Sequence, residues 1–352
     1  MVLAINPGST STKVALYEGA TLIAQESLDY SAEELASFAR ISDQLAMRTQ
    51  AVLDFLLRCG TSVAALDAIM ARGGLLHPLP AGIYAVNERM LHDCREGAVH
   101  EHASNLGAPI AHALAAGTGI PCYIADPVSV DEFEDVARIS GLKELPRRSL
   151  VHALNIRKVA YTTATAHGKA LNEMNMIVAH LGGGISIAPL RHGRIVDVNN
   201  ANEQGPFSPE RAGGLPAAAL VRLCFEEGAG EATIVKRLTQ RGGLVSYLGT
   251  NDARAVQHRI DGGDKEAALI LQGMAYQIAK EIGAMATVLE GDVEVIVLTG
   301  GLAHNDAIVG WVSERVGFIA PVECVPGENE LEALNDAYLR LRQGIETERS
   351  YT

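Results

Sequence analysis

Glycine recurs beside groups that could hold phosphate at three places in this 352-residue chain. Asn6-Pro7-Gly8-Ser9-Thr10-Ser11-Thr12-Lys13 sets backbone N–H groups, a carboxamide, hydroxyls and a cation in one short stretch. Phosphate oxygens take up such donors, and glycine lets the backbone approach them closely. The stretch is not a Walker loop, which needs G-x-x-x-x-G-K-[ST]. His180-Leu181-Gly182-Gly183-Gly184 presents three bare glycines after a strand-end histidine. Thr299-Gly300-Gly301-Leu302-Ala303-His304-Asn305 follows an apolar run and opens a helix. A strand end, Gly-Gly and a helix N-terminus together form a usual seat for a nucleotide. Two arginines stand in Gly/Pro-rich segments: Arg72 before Gly73-Gly74, and Arg211 within residues 205–214. Guanidinium forks match carboxylate and phosphoryl geometry, whereas lysine matches them poorly. Taken singly, each turn also suits an ordinary hairpin and each arginine a surface ion pair.

The elements that must carry these groups alternate as in an α/β protein. Residues 2–6, 12–18 and 21–28 read as a meander of strands, and residues 32–59 have helical apolar spacing. A strand at 67–71, a helix at 104–116 and a strand at 121–125 follow. Strands at 175–181, 185–191 and 194–198 then repeat the opening layout. Gly182 − Gly8, Leu190 − Leu16 and Gly193 − Gly19 all equal 174, about half the chain. The repeat predicts duplicated α/β domains, each aiming a polar glycine turn at a shared cleft, and the expected division of the chain is residues 1–154 with 332–352 and residues 155–331. Residues 265–290 predict a long buried helix, Trp311 reads as core, and the polar tail 344–352 as frayed.

Composition narrows the classes. With 48% hydrophobic residues and only 20% charged, the chain is globular rather than disordered. Its net charge, 29 − 42 = −13, provides no global field for nucleic acid, so anionic ligands must be held by local groups. Five cysteines, odd in number and never in C-x-x-C, read as reduced thiols of a cytoplasmic protein. His100 and His102 lack a third ligand and read as surface residues rather than a zinc site. No basic leader or membrane-length apolar run is evident, so no membrane partner is expected.

The three glycine motifs resemble, in order, the first phosphate, second phosphate and adenosine signatures of the acetokinase family. That family lies within the actin and sugar-kinase superfamily. The resemblance extends to the segments around Arg72, Asp126, His152 and Arg211, and so to nearly the whole chain. Arg72-Gly73-Gly74-Leu75-Leu76-His77-Pro78, Ala125-Asp126-Pro127-Val128, His152-Ala153-Leu154-Asn155 and Pro326-Gly327-Glu328 look like the branch that phosphorylates butanoate. Gly183 stands where acetate-acting members carry Asn, which removes a side-chain donor and speaks against acetate.

The resemblance implies two ribonuclease-H-like domains of the actin-like ATPase fold, with the active site in the cleft between them. It implies ATP and ADP as nucleotides, Mg2+ as metal, a short-chain carboxylic acid as substrate, and a homodimer or higher homo-oligomer. Arg72, Arg211, His180, His152 and Asp126 fall on its active-site positions. Asn6, Gly8, Ser9, Ser11, Lys13, Gly182, Gly183, Gly184, Gly300 and Gly301 fall on its nucleotide-binding positions. Glu328 and Glu330 both fall near its magnesium-linked glutamate, with Glu330 preferred. The reaction implied is ATP plus butanoate giving ADP and butanoyl phosphate; isobutyrate, propionate or acetate are the alternative acids. An actin-like nucleotide switch is the alternative outside enzymology, although a switch has no use for two carboxylate-facing arginines.

Overall fold

The computed structural model describes residues 1–97, 101–226 and 230–352, so His100 lies outside the described residues. Contacts divide the chain into two units, Met1–Val130 with Asn329–Thr352, and Asp131–Glu328. The first boundary precedes the one expected at residue 154 because the intervening segment bonds to the second unit. Glu134 N donates to Val196 O at 3.1 Å, and the Arg147 guanidinium grips Asp197 at 2.8 Å.

In the first unit β1 (Val2–Pro7), β2 (Ser11–Glu18) and β3 (Thr21–Asp29) form the antiparallel meander. β4 (Ala68–Arg72) lies parallel to β1, β6 (Cys122–Ala125) lies parallel to β4, and β5 (Ile83–Ala85) runs antiparallel to β6. Every residue of β1 is buried, as expected for a central strand covered on both faces. Leu3, Ile5, Val14, Leu16 and Ile69 meet Val52, Phe55 and Leu56 of the helix Leu45–Arg58. Burying each such side chain contributes about 1.5–3 kcal/mol. The helix expected over 32–59 is interrupted. Ser37 Oγ turns back to Glu34 O at 2.6 Å, and the Asp43 carboxylate caps Arg40 N at 3.0 Å, where helical structure restarts.

The second unit repeats the plan with β7 (Asn175–Leu181), β8 (Ile185–Arg191), β9 (Arg194–Ile195), β10 (Val295–Gly300) and β11 (Val322–Pro326) in the order β11-β10-β7-β8-β9. The repeat is therefore real in topology, but its offset is not constant. Glu18 pairs with Thr21 and Arg191 with Arg194, so 191 − 18 = 173 after the first turn. The matched letters Gly19 and Gly193 are one residue out of register; Gly19 (φ 58°) corresponds to His192 (φ 52°). β9 is shorter than expected because the chain leaves the hairpin to meet Glu134. The helix Lys265–Val288 forms as predicted, but only one face is buried, through Leu271, Met274, Ile278 and Ile282 against the sheet at β8 and β7. Among the described residues no helix is long and apolar enough to cross a membrane, and all five cysteines are free.

The tail is not frayed. β12 (Glu348–Ser350) adds to the edge of the first sheet beside β5, completing the order β12-β5-β6-β4-β1-β2-β3. Tyr351 is buried, donates its hydroxyl to Asp93 Oδ2 at 2.9 Å and accepts from His77 N at 3.2 Å. Burial and the neighbouring Asp93 push its phenol up to about 12. Replacing Tyr351 by Phe removes both bonds and should cost about 1–2 kcal/mol, read as a thermal midpoint lowered by a few degrees. An unchanged midpoint would return the tail to a disordered role.

Candidate active site

Sheet register gathers the first group of predicted residues. Asn6 on β1 faces Lys13 on β2, and the parallel pairing of Ile5 with Ala71 places Arg72 beside Asn6. Lys13, Asn6 and Arg72 thus form a row across three strands, since directly paired residues share a face. Glu330 opens the helix Glu330–Arg342, which packs on β1, and its carboxylate accepts from Asn6 Nδ2 and from Arg72 Nη1 at 2.9 Å. Arg72 Nη1 also reaches Asn6 Oδ1 at 3.4 Å. Asp126 follows the last residue of β6, is 2% exposed and sits at φ 40°, a left-handed conformation uncommon outside glycine. Its Oδ1 accepts from Gly82 N at 2.8 Å. The close packing of Pro127 allows no side chain at Gly73, which keeps the segment after Arg72 against β6.

In the second unit, β7 carries His180 to the glycine turn at residues 182–184. Asn155, on the helix Ala153–Ala166, donates through Nδ2 to Gly327 O at 3.3 Å, which turns its Oδ1 toward His180 Nδ1 at 2.8 Å. That carbonyl accepts a hydrogen bond from Nδ1–H and so fixes the ring's orientation. His180 Nε2 faces Glu328 Oε1 at 3.2 Å. His152 caps the same helix, stacks on His180 with centroids 4.0 Å apart, and shares a hydrogen bond with Ser186 Oγ at 2.8 Å. Asn155 and Ser186 bond to the two histidines, and the sequence reading named neither as a site residue. Asn155 was within reach, since it lies three residues after His152 on one helix face.

Arg211 is held over the same turn. Ser208 Oγ donates to Gly183 O at 2.6 Å and accepts from Arg211 N at 3.2 Å, bolting the arginine loop to the glycines. The guanidinium lies where a Cβ on Gly184 would be, and the Glu328 carboxylate where one on Gly182 would be. These glycines are bare because charged groups occupy the space above them. Among the described residues no carboxylate forms an ion pair with Arg211, and burial lowers its pKa from the usual value. A half-buried guanidinium with spare donors is a ready anion site.

Gly300 ends β10 at φ 88°, and Leu181 backbone fills the space of its missing side chain. Gly301 opens onto a cavity of about 1230 Å³ lined by Arg254, Gln257, His258, His304 and Asn305 among others. Asn305 caps the helix Asp306–Val316 that starts there. Glu328 and Glu330, which sequence left as alternatives, belong to different units with different partners. Among the described residues no three His, Cys, Asp or Glu side chains converge as a metal cage. A single carboxylate of this kind suits a metal ion that keeps most of its waters.

The model of the Acetokinase family matches residues 142–319. A probable butyrate kinase 2 of Caldanaerobacter subterraneus subsp. tengcongensis is 52% identical over 350 residues, covering 99% of each chain. Butyrate kinase 2 of Clostridium acetobutylicum is 46% identical over 351 residues, again 99% of each. The solved acetate kinase of Porphyromonas gingivalis shares the fold with a TM-score of 0.80 at 20% identity, over 97% of this chain and 99% of that one. The fold is thus the actin-like ATPase fold that the resemblance implied, and it agrees with the repeated meander.

Gly184→Ala places a methyl group in the Arg211 guanidinium while leaving the sheet intact. We expect an unchanged circular dichroism spectrum and a loss of turnover on the order of 10²-fold, the cost of a roughly 1 Å misplacement. Full turnover would show that Arg211 need not rest on Gly184.

Proposed function

The chain belongs to the acetokinase family, and from that premise we propose that it makes butanoyl phosphate and ADP from butanoate and ATP, reversibly, by in-line transfer to the carboxylate. The observation that carries this reading is near-complete coverage at 52% identity by a relative named as a probable butyrate kinase. A carboxylic acid with a pKa near ~4–5 is ionised at pH 7, so its oxygen needs no general base. One carboxylate oxygen forms the new bond to the γ-phosphorus as the bond to the β-phosphate bridging oxygen breaks, and ADP leaves with that electron pair. The barrier is the meeting of two anions, which positive charge and oriented donors lower.

The residues are suited to that task. Arg211, with no carboxylate ion pair among the described residues, and His180, oriented by Asn155, are assigned to the charge on the phosphoryl group in flight. Arg72, steadied by Glu330, is assigned to an incoming anion through its remaining donors, with Asn6, Gly8, Ser9, Ser11 and Lys13 holding phosphate oxygens in the first unit. The backbone of Gly182, Gly183 and Gly184 is assigned to phosphate oxygens beside the Arg211 guanidinium, and Gly300 and Gly301 admit the nucleoside end to the cavity beside them. His152 supports the His180 ring, and Asp126 holds the segment beyond β6. Mg2+ bound to the nucleotide would neutralise phosphate charge, with Glu330 or Glu328 reaching its water shell.

The same reading places the protein in the cytoplasm, supported by its five free thiols. It includes a homo-oligomer, supported by exposed Val136 (71%), Ile139 (73%) and Phe225 (86%), apolar surface suited to a second copy.

Acyl phosphate trapped as hydroxamate, measured with MgATP and acids from acetate to hexanoate plus isobutyrate, should peak at butanoate. Neighbouring acids should remain substrates, since a methylene changes binding by only about 1–3 kcal/mol. A peak at acetate would overturn the substrate, and no product from any acid the reaction. Arg211→Lys should lower kcat about 10²–10³-fold, because the ammonium lacks the planar fork. Chelation should abolish the rate and Mg2+ restore it; activity in excess chelator would remove the metal from the proposal.

A further inference from the structure

Beneath the first glycine turn lies a buried cation with no part in the scheme above. Arg48, on the helix Leu45–Arg58, is 0% exposed. Its Nη1 donates to Gly8 O (2.9 Å), Ser11 O (3.0 Å) and Thr12 Oγ1 (3.1 Å). Nη2 donates to Ser9 O (3.2 Å), and Nε and Nη2 both reach Gln44 Oε1. The Tyr30 ring covers the guanidinium at 4.6 Å while its hydroxyl donates to Thr12 Oγ1. Among the described residues no carboxylate forms an ion pair with it, and burial lowers its pKa from an arginine's usual value. Arginine nevertheless stays charged in proteins.

Burying an ion without a counter-ion is costly, and a leucine would fill the apolar stripe of Leu45, Val52 and Phe55 more cheaply. What the guanidinium does that a leucine cannot is bind three turn carbonyls. In a trans peptide the C=O and N–H point in opposite directions, and no cis bond occurs among the described residues. Gly8 O turned inward therefore sends Ser9 N–H outward, and Ser9 O turned inward sends Thr10 N–H outward. Ser9 and Thr10 are both exposed.

We propose that Arg48 is a positioning residue for the nucleotide phosphates: it locks the first turn with the Ser9 and Thr10 amides facing the ligand and sets a fixed positive charge behind them. The inference rests on the reading that this turn holds phosphate. It needs no contact between Arg48 and substrate.

The test varies MgATP and butanoate separately in initial-rate assays of the full chain, for wild type, Arg48→Met and Arg48→Lys. In Arg48→Met the KM for MgATP should rise about tenfold or more, with the KM for butanoate within about twofold. Arg48→Lys should fall between, because it restores charge but one ammonium cannot replace the fork. A purely structural strut predicts both KM values and kcat drifting together, or a collapsed fold in both variants by circular dichroism. Either result overturns the proposal, as does a folded variant with unchanged MgATP kinetics. A wild type that forms no acyl phosphate fails the functional reading instead, and that arm is read first.

Discussion

Two like charges 4 Å apart repel by about 4 kcal/mol at an effective dielectric near 20, and this chain's reaction begins by bringing two anions together. Much of the local architecture answers to that repulsion. The turns proposed to meet phosphate, after β1 and β7, are glycine-bearing, and the strands feeding them are buried. Arg211, proposed to meet the phosphoryl group, rests on bare glycine with its loop anchored by Ser208, and no carboxylate forms an ion pair with it among the described residues. Arg72 is handled differently, oriented by Glu330 at the head of a helix. One arginine is kept free by burial and the other is aimed by a partner.

The duplicated meanders show how one topology can brace the same kind of turn from different directions. In the first unit a side chain from a helix takes the carbonyls of residues 8, 9 and 11 from beneath. In the second, where the turn is one residue shorter, a hydroxyl from a neighbouring loop takes the carbonyl of Gly183. The repeat conserves strand order and parallelism rather than the means of support.

Legibility in sequence follows the same division. Strands β1, β2, β7 and β8, the long helix Lys265–Val288 and the glycine turns were readable, because apolar period and glycine punctuation are local signals. The constant offset misled, since three matching letters cannot detect a one-residue change in turn length. The tail looked disordered because its polar composition hides an edge strand whose partner, β5, lies more than two hundred residues earlier. Arg48 left a faint trace, a charge at the position between Leu45 and Val52 where the helical period calls for an apolar residue. The separate partners of Glu328 and Glu330 left none, because two residues apart in sequence they belong to different units.

That discontinuity also governs the order in which the protein can be made. The first unit needs residues 329–352, and the helix Glu330–Arg342 covers β1 with Leu331, Leu334 and Tyr338. On a ribosome adding about 5–20 residues per second, the 352 − 130 = 222 residues after its opening segment take roughly 10–45 s to appear. Over that interval the N-terminal sheet stands with one apolar face uncovered and its β5 edge open. The continuous unit, Asp131–Glu328, is complete first. Synthesis runs from N to C, but the second half of this enzyme is the half that can finish folding while the first still waits for its last strand.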